Sequence, residues 1–203
     1  IEGSNVKEHT SCSAADGTSL SVKNLFFNVP ARRNFLKSDT TETTYIIEEF
    51  HRVALVYPEI SFSFYNNGKL LTRLDKMPLR QRINSVFGQN YGEKLIALSE
   101  DTNVADIKGF IGKPEFARKT RGEQYFFVNK RFIKYPYLNH AVDKAYAELI
   151  PDQSYPSYFI YITIDPKNID VNIHPAKTEV KFQDEKILYS ILKGSIRKSF
   201  GSF

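Results

Sequence analysis

Residues 60–74, ISFSFYNNGKLLTRL, constrain the chain most tightly: Ile60, Phe62 and Phe64 alternate with serines, and Asn67-Gly68 stands between this arm and a second one. Asn-Gly accepts positive φ at both central positions of a two-residue turn, whose twist suits antiparallel strands. The stretch reads as a hairpin. Immediately before it the period changes. Ile46, Phe50, Val53, Ala54 and Tyr57 recur at helical spacing until Pro58, which lacks the N–H a helix needs. Asp39, with Glu42 three residues on, resembles a capping box at the start of that helix.

Both periods continue along the chain. GTSLSVKNLFF (17–27) alternates around Leu20, Val22 and Leu25 and reads as a strand, after a polar loop EHTSCSAADG. Leu79 to Phe87 reads as a short helix, and 94–100 with 104–111 as a second strand pair. QYFFVNKRFI (124–133) is strand, turn, strand. Pro136 suits the first position of a helix with the apolar face Leu138, Val142, Ala145, Tyr146 and Leu149. SYFIYITI (157–164) is strongly β-prone, and DEKILYSILKGSIRKSF (184–200) is a closing helix. Between these two, DVNIHPAKTEVKF (170–182) interrupts two alternating segments at His174-Pro175 to put out Lys177. Strands and helices mix without regular alternation, which predicts an α+β layered domain. No repeat or low-complexity linker stands out; a domain boundary, if the chain has one, falls in residues 28–40.

Composition excludes several classes. Hydrophobic content of 41% with 16 Phe and 12 Tyr suffices for a packed core. A net charge of +5 is only mildly basic and fits either a solvated basic face or an anionic partner. Cys12 is the only cysteine, so no intramolecular disulfide forms and a reducing compartment is favoured. No apolar run of about 18 residues occurs and the start, IEGSNVKEH, has no signal-peptide pattern, so a soluble cytoplasmic chain is expected. The chain does not begin with Met, as a piece of a longer protein would not. No Walker A loop, G-x-G-x-x-G after a strand or G-x-S-x-G is present, and no carboxylates form a paired acid–base motif. His9, His51, His140 and His174 are scattered; His9-x-x-Cys12 alone has ligand-like spacing and lacks a second pair.

Three stretches taken together are more specific. GTSLSVKNLFFNVPARRNFLK (17–37), QYFFVNKRFIK (124–134) and DVNIHPAKTEVKF (170–182) closely resemble the MutL family of DNA mismatch-repair ATPases, in that family's order and at plausible separations. The resemblance runs from about residue 17 to 203 and implies a ribosomal-protein-S5-domain-2-like α+β fold. It implies that residues 1–37 are the tail of an ATP-binding lobe with the lobe junction, and 38–203 the second, transducer lobe. The motifs that bind Mg²⁺, hold adenine and supply the general base precede the G-T strand in the family and are not in this sequence. Catalytic residues are therefore not expected here, nor tight binding of ATP or Mg²⁺ by this stretch alone.

The resemblance also assigns roles. Lys177 corresponds to the lysine that contacts the ATP γ-phosphate; on local pattern alone it is a solvated loop lysine. Thr18 corresponds to a threonine in the adenine-side hydrogen-bond network, although Gly-Thr is also ordinary turn chemistry. Arg32 and Arg33 match the pattern at the lobe junction, where their implied use is positioning. Lys130, Arg131 and Lys134 form the DNA-binding candidate, suited to phosphates rather than bases, and Arg118, Lys119 and Arg121 extend it. The family commonly has a further basic residue where this chain has Tyr135-Pro136-Tyr137, and often one at Asn34. The implied partners are DNA, a MutS-type mismatch-recognition protein and a second copy when ATP is bound. The implied location is cytoplasmic in a bacterium and nuclear in a eukaryote. An S5-like nucleic-acid-binding module indifferent to nucleotide is the alternative. A topoisomerase transducer lobe would need a Q-T-K loop, which does not occur here.

Overall fold

A computed structural model describes residues 1–2, 4–170 and 179–201. Two compact units emerge, Ile1–Glu48 and Glu49–Phe203. Residues 171–178, which carry His174, Pro175 and Lys177, lie outside the described residues.

In the first unit, no described residue is buried. Its one short helix is α1 (Pro30–Arg33), with Pro30 at the first turn. The strand expected over 17–27 does not form. Alternation supplies side chains for a sheet face, but a strand exists only beside a hydrogen-bonding neighbour, and among the described residues none pairs with this stretch. Leu20, Val22 and Leu25 stand exposed, and the chain turns at Asn24 and Phe26, both at positive φ (52° and 64°). Helix α2 (Asp39–Val56) begins here. Its cap lies one residue before the expected position: Thr41 N donates to Ser38 Oγ at 3.4 Å, and Lys37 N donates to Glu42 Oε1 at 2.8 Å. Ser38 precedes the first helical residue, so its hydroxyl reaches the orphan amides that Asp39, already in the helix, cannot.

The second unit is built around a five-stranded sheet. Strands β1 (Phe62–Asn66) and β2 (Lys69–Leu74) make the expected hairpin, with Asn67 and Gly68 both at positive φ (50° and 75°). Helix α3 (Leu79–Phe87) follows. Strands β3 (Leu95–Asp101), β4 (Asp106–Gly112), β5 (Gln124–Val128), β6 (Arg131–Ile133) and β7 (Tyr158–Thr163) form the sheet in the order β3-β4-β7-β5-β6. Only the β5–β7 pair is parallel. Helix α4 (Pro136–Tyr146) lies between β6 and β7 in sequence; β8 (Ile169–Asp170) and β9 (Lys181–Phe182) form a separate two-stranded pair, and α5 (Glu185–Gly201) closes the chain. Leu149, expected on the face of α4, lies beyond the helix end and is exposed.

Period-two alternation divides the sheet between two cores. Phe126, Val128, Ile160 and Ile162 pack with Leu138, Val142 and Tyr146 of α4 and Leu188, Leu192 and Ile196 of α5. Tyr125, Phe127 and Phe159 face the other way, onto Leu55 and Val56 of α2 and Ile83 of α3. Covering both faces explains why the central strands read as continuous apolar runs. The apolar face of α2 departs from expectation. Ala54, Leu55 and Val56 are buried, whereas Ile46 and Val53 are half exposed. The Tyr161 hydroxyl donates to Leu55 O at 2.9 Å and fixes the last turn of the helix.

Two residues determine local geometry. Gly109 of β4 sits at φ +140°, and a Cβ there would lie 2.0 Å from Phe159 O of the neighbouring strand. Arg82 of α3 is 0% exposed, and its Nη2 donates to Pro58 O (3.0 Å), Ile60 O (2.7 Å) and Asp75 O (3.0 Å). One guanidinium thus ties the exit of α2 and both feet of the β1–β2 hairpin to α3. Burial pushes its pKa down, opposed by Glu59 and Asp75.

Candidate functional site

Asn129 and Lys130 form the two-residue turn between β5 and β6, both at positive φ (46° and 63°). Asn tolerates that conformation and Lys does so at a cost. Asn129 pins the turn to the end of β7: its N donates to Ile162 O (2.9 Å), its Nδ2 donates to Ile164 O (2.9 Å), and Ile164 N donates to its Oδ1 (3.0 Å). The Lys130 ammonium lies 5.4 Å from the Tyr57 ring centroid. Arg131 stands exposed on edge strand β6, and Lys134 is exposed just before α4, whose first residue is Pro136. Three cations and the positive end of a helix therefore share one rigidly mounted segment, an arrangement suited to phosphate groups.

Tyr135 links this segment to β9 and the start of α5. Its hydroxyl donates to Glu185 Oε2 at 2.7 Å, and its ring meets Phe182 edge-on at 5.2 Å. Burial, reinforced by the bond to Glu185, raises the tyrosine pKa. Phe182 lies opposite Ile169 in the β8–β9 pair, from which residues 171–178 emerge. Val180 and Phe182 are buried while Glu179 and Lys181 are exposed, so the alternation expected after Lys177 is present on its C-terminal side. Tyr135, next to Lys134 in sequence, thus holds Phe182 and Glu185, which follow the Lys177 segment on its C-terminal side.

The remaining candidates fall elsewhere. Arg118 pairs with Glu123, Lys119 Nζ donates to Asp152 O (2.9 Å), and Arg121 lies 3.8 Å from Asp143 and 4.0 Å over the Tyr155 ring. Arg118, Lys119 and Arg121 thus have partners within the protein, as Lys130 has in Tyr57. Thr18, Arg32 and Arg33 belong to the unit of residues 1–48, where all three are exposed. Among the described residues, no group of three His, Cys, Asp or Glu side chains could hold a metal ion. Also among them, no helix is long and apolar enough to cross a membrane. Sequence reasoning missed Asn129 and Tyr135 as positioning residues. An Asn opening a two-residue turn was a readable signal for the first; nothing local announces that Tyr135 reaches Glu185, fifty positions on.

A mixed antiparallel sheet with one parallel pair, covered by helices on both faces, defines an α+β domain of the S5-like type. A solved structure described as the N-terminal domain of a DNA repair protein shares this fold, with a TM-score of 0.70 at 24% identity over 87% of this chain and 59% of that one. The Aquifex aeolicus MutL ATPase domain complexed with ADP does so with a TM-score of 0.56 at 23% identity, over 84% and 55%. The family profile for the DNA mismatch repair protein C-terminal domain matches residues 83–201. The DNA mismatch repair protein MutL of Christiangramia forsetii is 59% identical over all 203 residues, and that of Flavobacterium johnsoniae 55%. The chain belongs to the MutL family of DNA mismatch repair proteins. It spans 33% and 32% of the length of those two relatives.

Proposed function

We propose that residues 38–203 are the transducer lobe of a MutL-type mismatch-repair ATPase, and residues 1–37 the tail of its ATP-binding lobe with the lobe junction. In this reading Lys177 contacts the γ-phosphate of ATP held elsewhere in the full-length protein, with Mg²⁺, and Thr18 lies at the adenine side. Arg32 and Arg33 position the junction. A compact ammonium on a flexible stem suits a phosphate that is present before hydrolysis and absent after it. Lys130, Arg131 and Lys134 bind the DNA backbone without reading sequence. ATP binding would favour pairing of two copies around DNA, and a MutS-type protein is the upstream partner. The observation that supports coupling between nucleotide and DNA is Tyr135, next to Lys134 in sequence, whose ring and hydroxyl hold Phe182 and Glu185 on the C-terminal side of the Lys177 segment.

The test uses the full-length protein. Lys177→Ala should lower the ATP hydrolysis rate ten- to a hundredfold, since a charge-assisted phosphate contact is worth roughly 1.5–3 kcal/mol. ADP affinity and melting temperature should stay nearly unchanged. Arg131→Glu with Lys134→Glu should weaken duplex binding at low salt equally for matched and mismatched DNA. A normal ATPase rate in Lys177→Ala removes the nucleotide-sensing role. Duplex binding unaltered by nucleotide, with hydrolysis normal, leaves the nucleotide-independent binding module.

A further inference from the structure

Tyr137 and Tyr189 bring two aromatic rings together where α4 and α5 lie side by side. Tyr137 is in the first turn of α4 and 37% exposed; its ring centroid lies 4.8 Å from that of the half-buried Tyr189 of α5. The Tyr189 hydroxyl and His140 Nδ1 share a hydrogen bond of 2.9 Å, and the two rings lie 5.8 Å apart. The two helices run side by side in the same direction: beyond the tyrosine pair, Arg197 Nη2 donates to Lys144 O (3.4 Å) and Phe200 meets Tyr146. Lys186 and Lys193 fall one turn either side of Tyr189 on its own helix face. The two carboxylates nearest in sequence are engaged elsewhere, Glu185 by Tyr135 and Asp143 beside Arg121.

We propose that Tyr137, backed by Tyr189 and His140, is a stacking platform for an unpaired base of single-stranded DNA whose phosphates lie along Lys134 and Lys186. This rests on the DNA-binding reading and extends it from the sugar–phosphate backbone to a base face. A tyrosine in a helix's first turn with an exposed ring normally loses rotamer freedom when it stacks. Here the Tyr189 contact restricts it beforehand, and His140 in turn fixes Tyr189, so the platform is preorganised. Every base has a π-face, so such a platform prefers single strands over duplex without preferring a sequence. Duplex DNA, with its bases already stacked, gains only from the cations.

The experiment measures binding of the full-length protein to a labelled single strand, the same strand with a run of abasic sites, and the corresponding duplex. Base–aromatic stacking removed by alanine predicts a loss of about five- to a hundredfold for the intact single strand in Tyr137→Ala. Duplex and abasic binding should stay within twofold, and Tyr137→Phe should retain wild-type values. Equal loss on single strand and duplex, no loss on either, or an abasic strand bound by the wild type as tightly as the intact one would each overturn the platform. Lys134→Glu separates this from the broader reading. If Lys134→Glu weakens duplex binding while Tyr137→Ala leaves the single strand bound as before, the platform falls and the DNA-binding reading stands; if Lys134→Glu leaves both single strand and duplex bound as before, the phosphate path along Lys134 falls, and the platform argued from it falls too.

Discussion

Replacing Arg82 by Met should destabilise the unit of residues 49–203 although it removes a buried charge. Met keeps a similar volume and supplies no donor. Pro58 O retains a second donor, Met77 N at 3.1 Å, so the carbonyls stripped of their partner are Ile60 O and Asp75 O. Two hydrogen bonds from a charged group at roughly 1.5–3 kcal/mol each give a gross loss of about 3–6 kcal/mol. Arg82 Nε and Nη1 are themselves buried without a protein partner, and removing them returns about 1–3 kcal/mol of desolvation penalty. At the middle of both ranges the net expectation is a loss of about 2.5 kcal/mol, or about 5–10 °C in melting temperature for a chain of this size. Urea unfolding followed by circular dichroism measures it, and amide exchange in residues 62–74 localises it to the hairpin. Arg82→Lys should recover part of the loss, since an ammonium reaches fewer of the carbonyls. Stability of Arg82→Met within about 0.5 kcal/mol of wild type would refute the reasoning and make this guanidinium one of the buried ions that apolar residues replace at no cost.

Lys130→Gly should raise the melting temperature slightly, because a left-handed residue with a side chain carries roughly 1 kcal/mol of strain that glycine lacks; duplex affinity should fall in the same protein. Asp143→Asn should stabilise the protein at neutral pH. Burial, the largest influence, raises the Asp143 pKa against the opposing Arg121 and His140, so its ionised form is disfavoured in the folded state. The advantage of Asn should shrink as pH falls through the raised folded value towards the ordinary carboxylate range, and vanish below it, where Asp143 is protonated folded and unfolded alike. Thermal melts of both proteins from neutral to acid pH check the sign; a gap that widens on acidification contradicts it.

Most of the second unit was legible because its signals are local. Asn67-Gly68 fixed one turn, Pro136 the start of α4, and the alternation of Val180 and Phe182 one root of the Lys177 segment. Failures came where an element depends on something distant. Residues 17–27 carry a strand's side-chain pattern, but pattern supplies only the faces; the edges need a partner. Ile46 and Val53 follow the helical period as well as Ala54 does, yet the period alone does not say which of these side chains finds a packing partner in the folded chain. At the site, the cations were readable as charge. Which of them were already engaged was not: Arg121 finds Tyr155 and Asp143 only after folding, and Tyr135 finds Glu185 in the same way. Arg82 offered no signal at all, since a helical arginine is ordinarily a solvated one.

Gly109 bears on how the sheet avoids misassembly. Strand β4 pairs on both sides, with β3 and with β7, and its inward side chains Ile107 and Ile111 are alike. Sliding β4 by two residues would keep every apolar group on its own face, so hydrophobic patterning cannot tell the native alignment from that neighbour. The close approach of Phe159 O can. With Ile107 or Ile111 in place of Gly109, a side chain would have to occupy the space where a single Cβ already lies 2.0 Å from the carbonyl. The missing side chain works like a keyway: the carbonyl of one strand enters only where the other has been cut away, so one alignment closes and its face-preserving rivals jam.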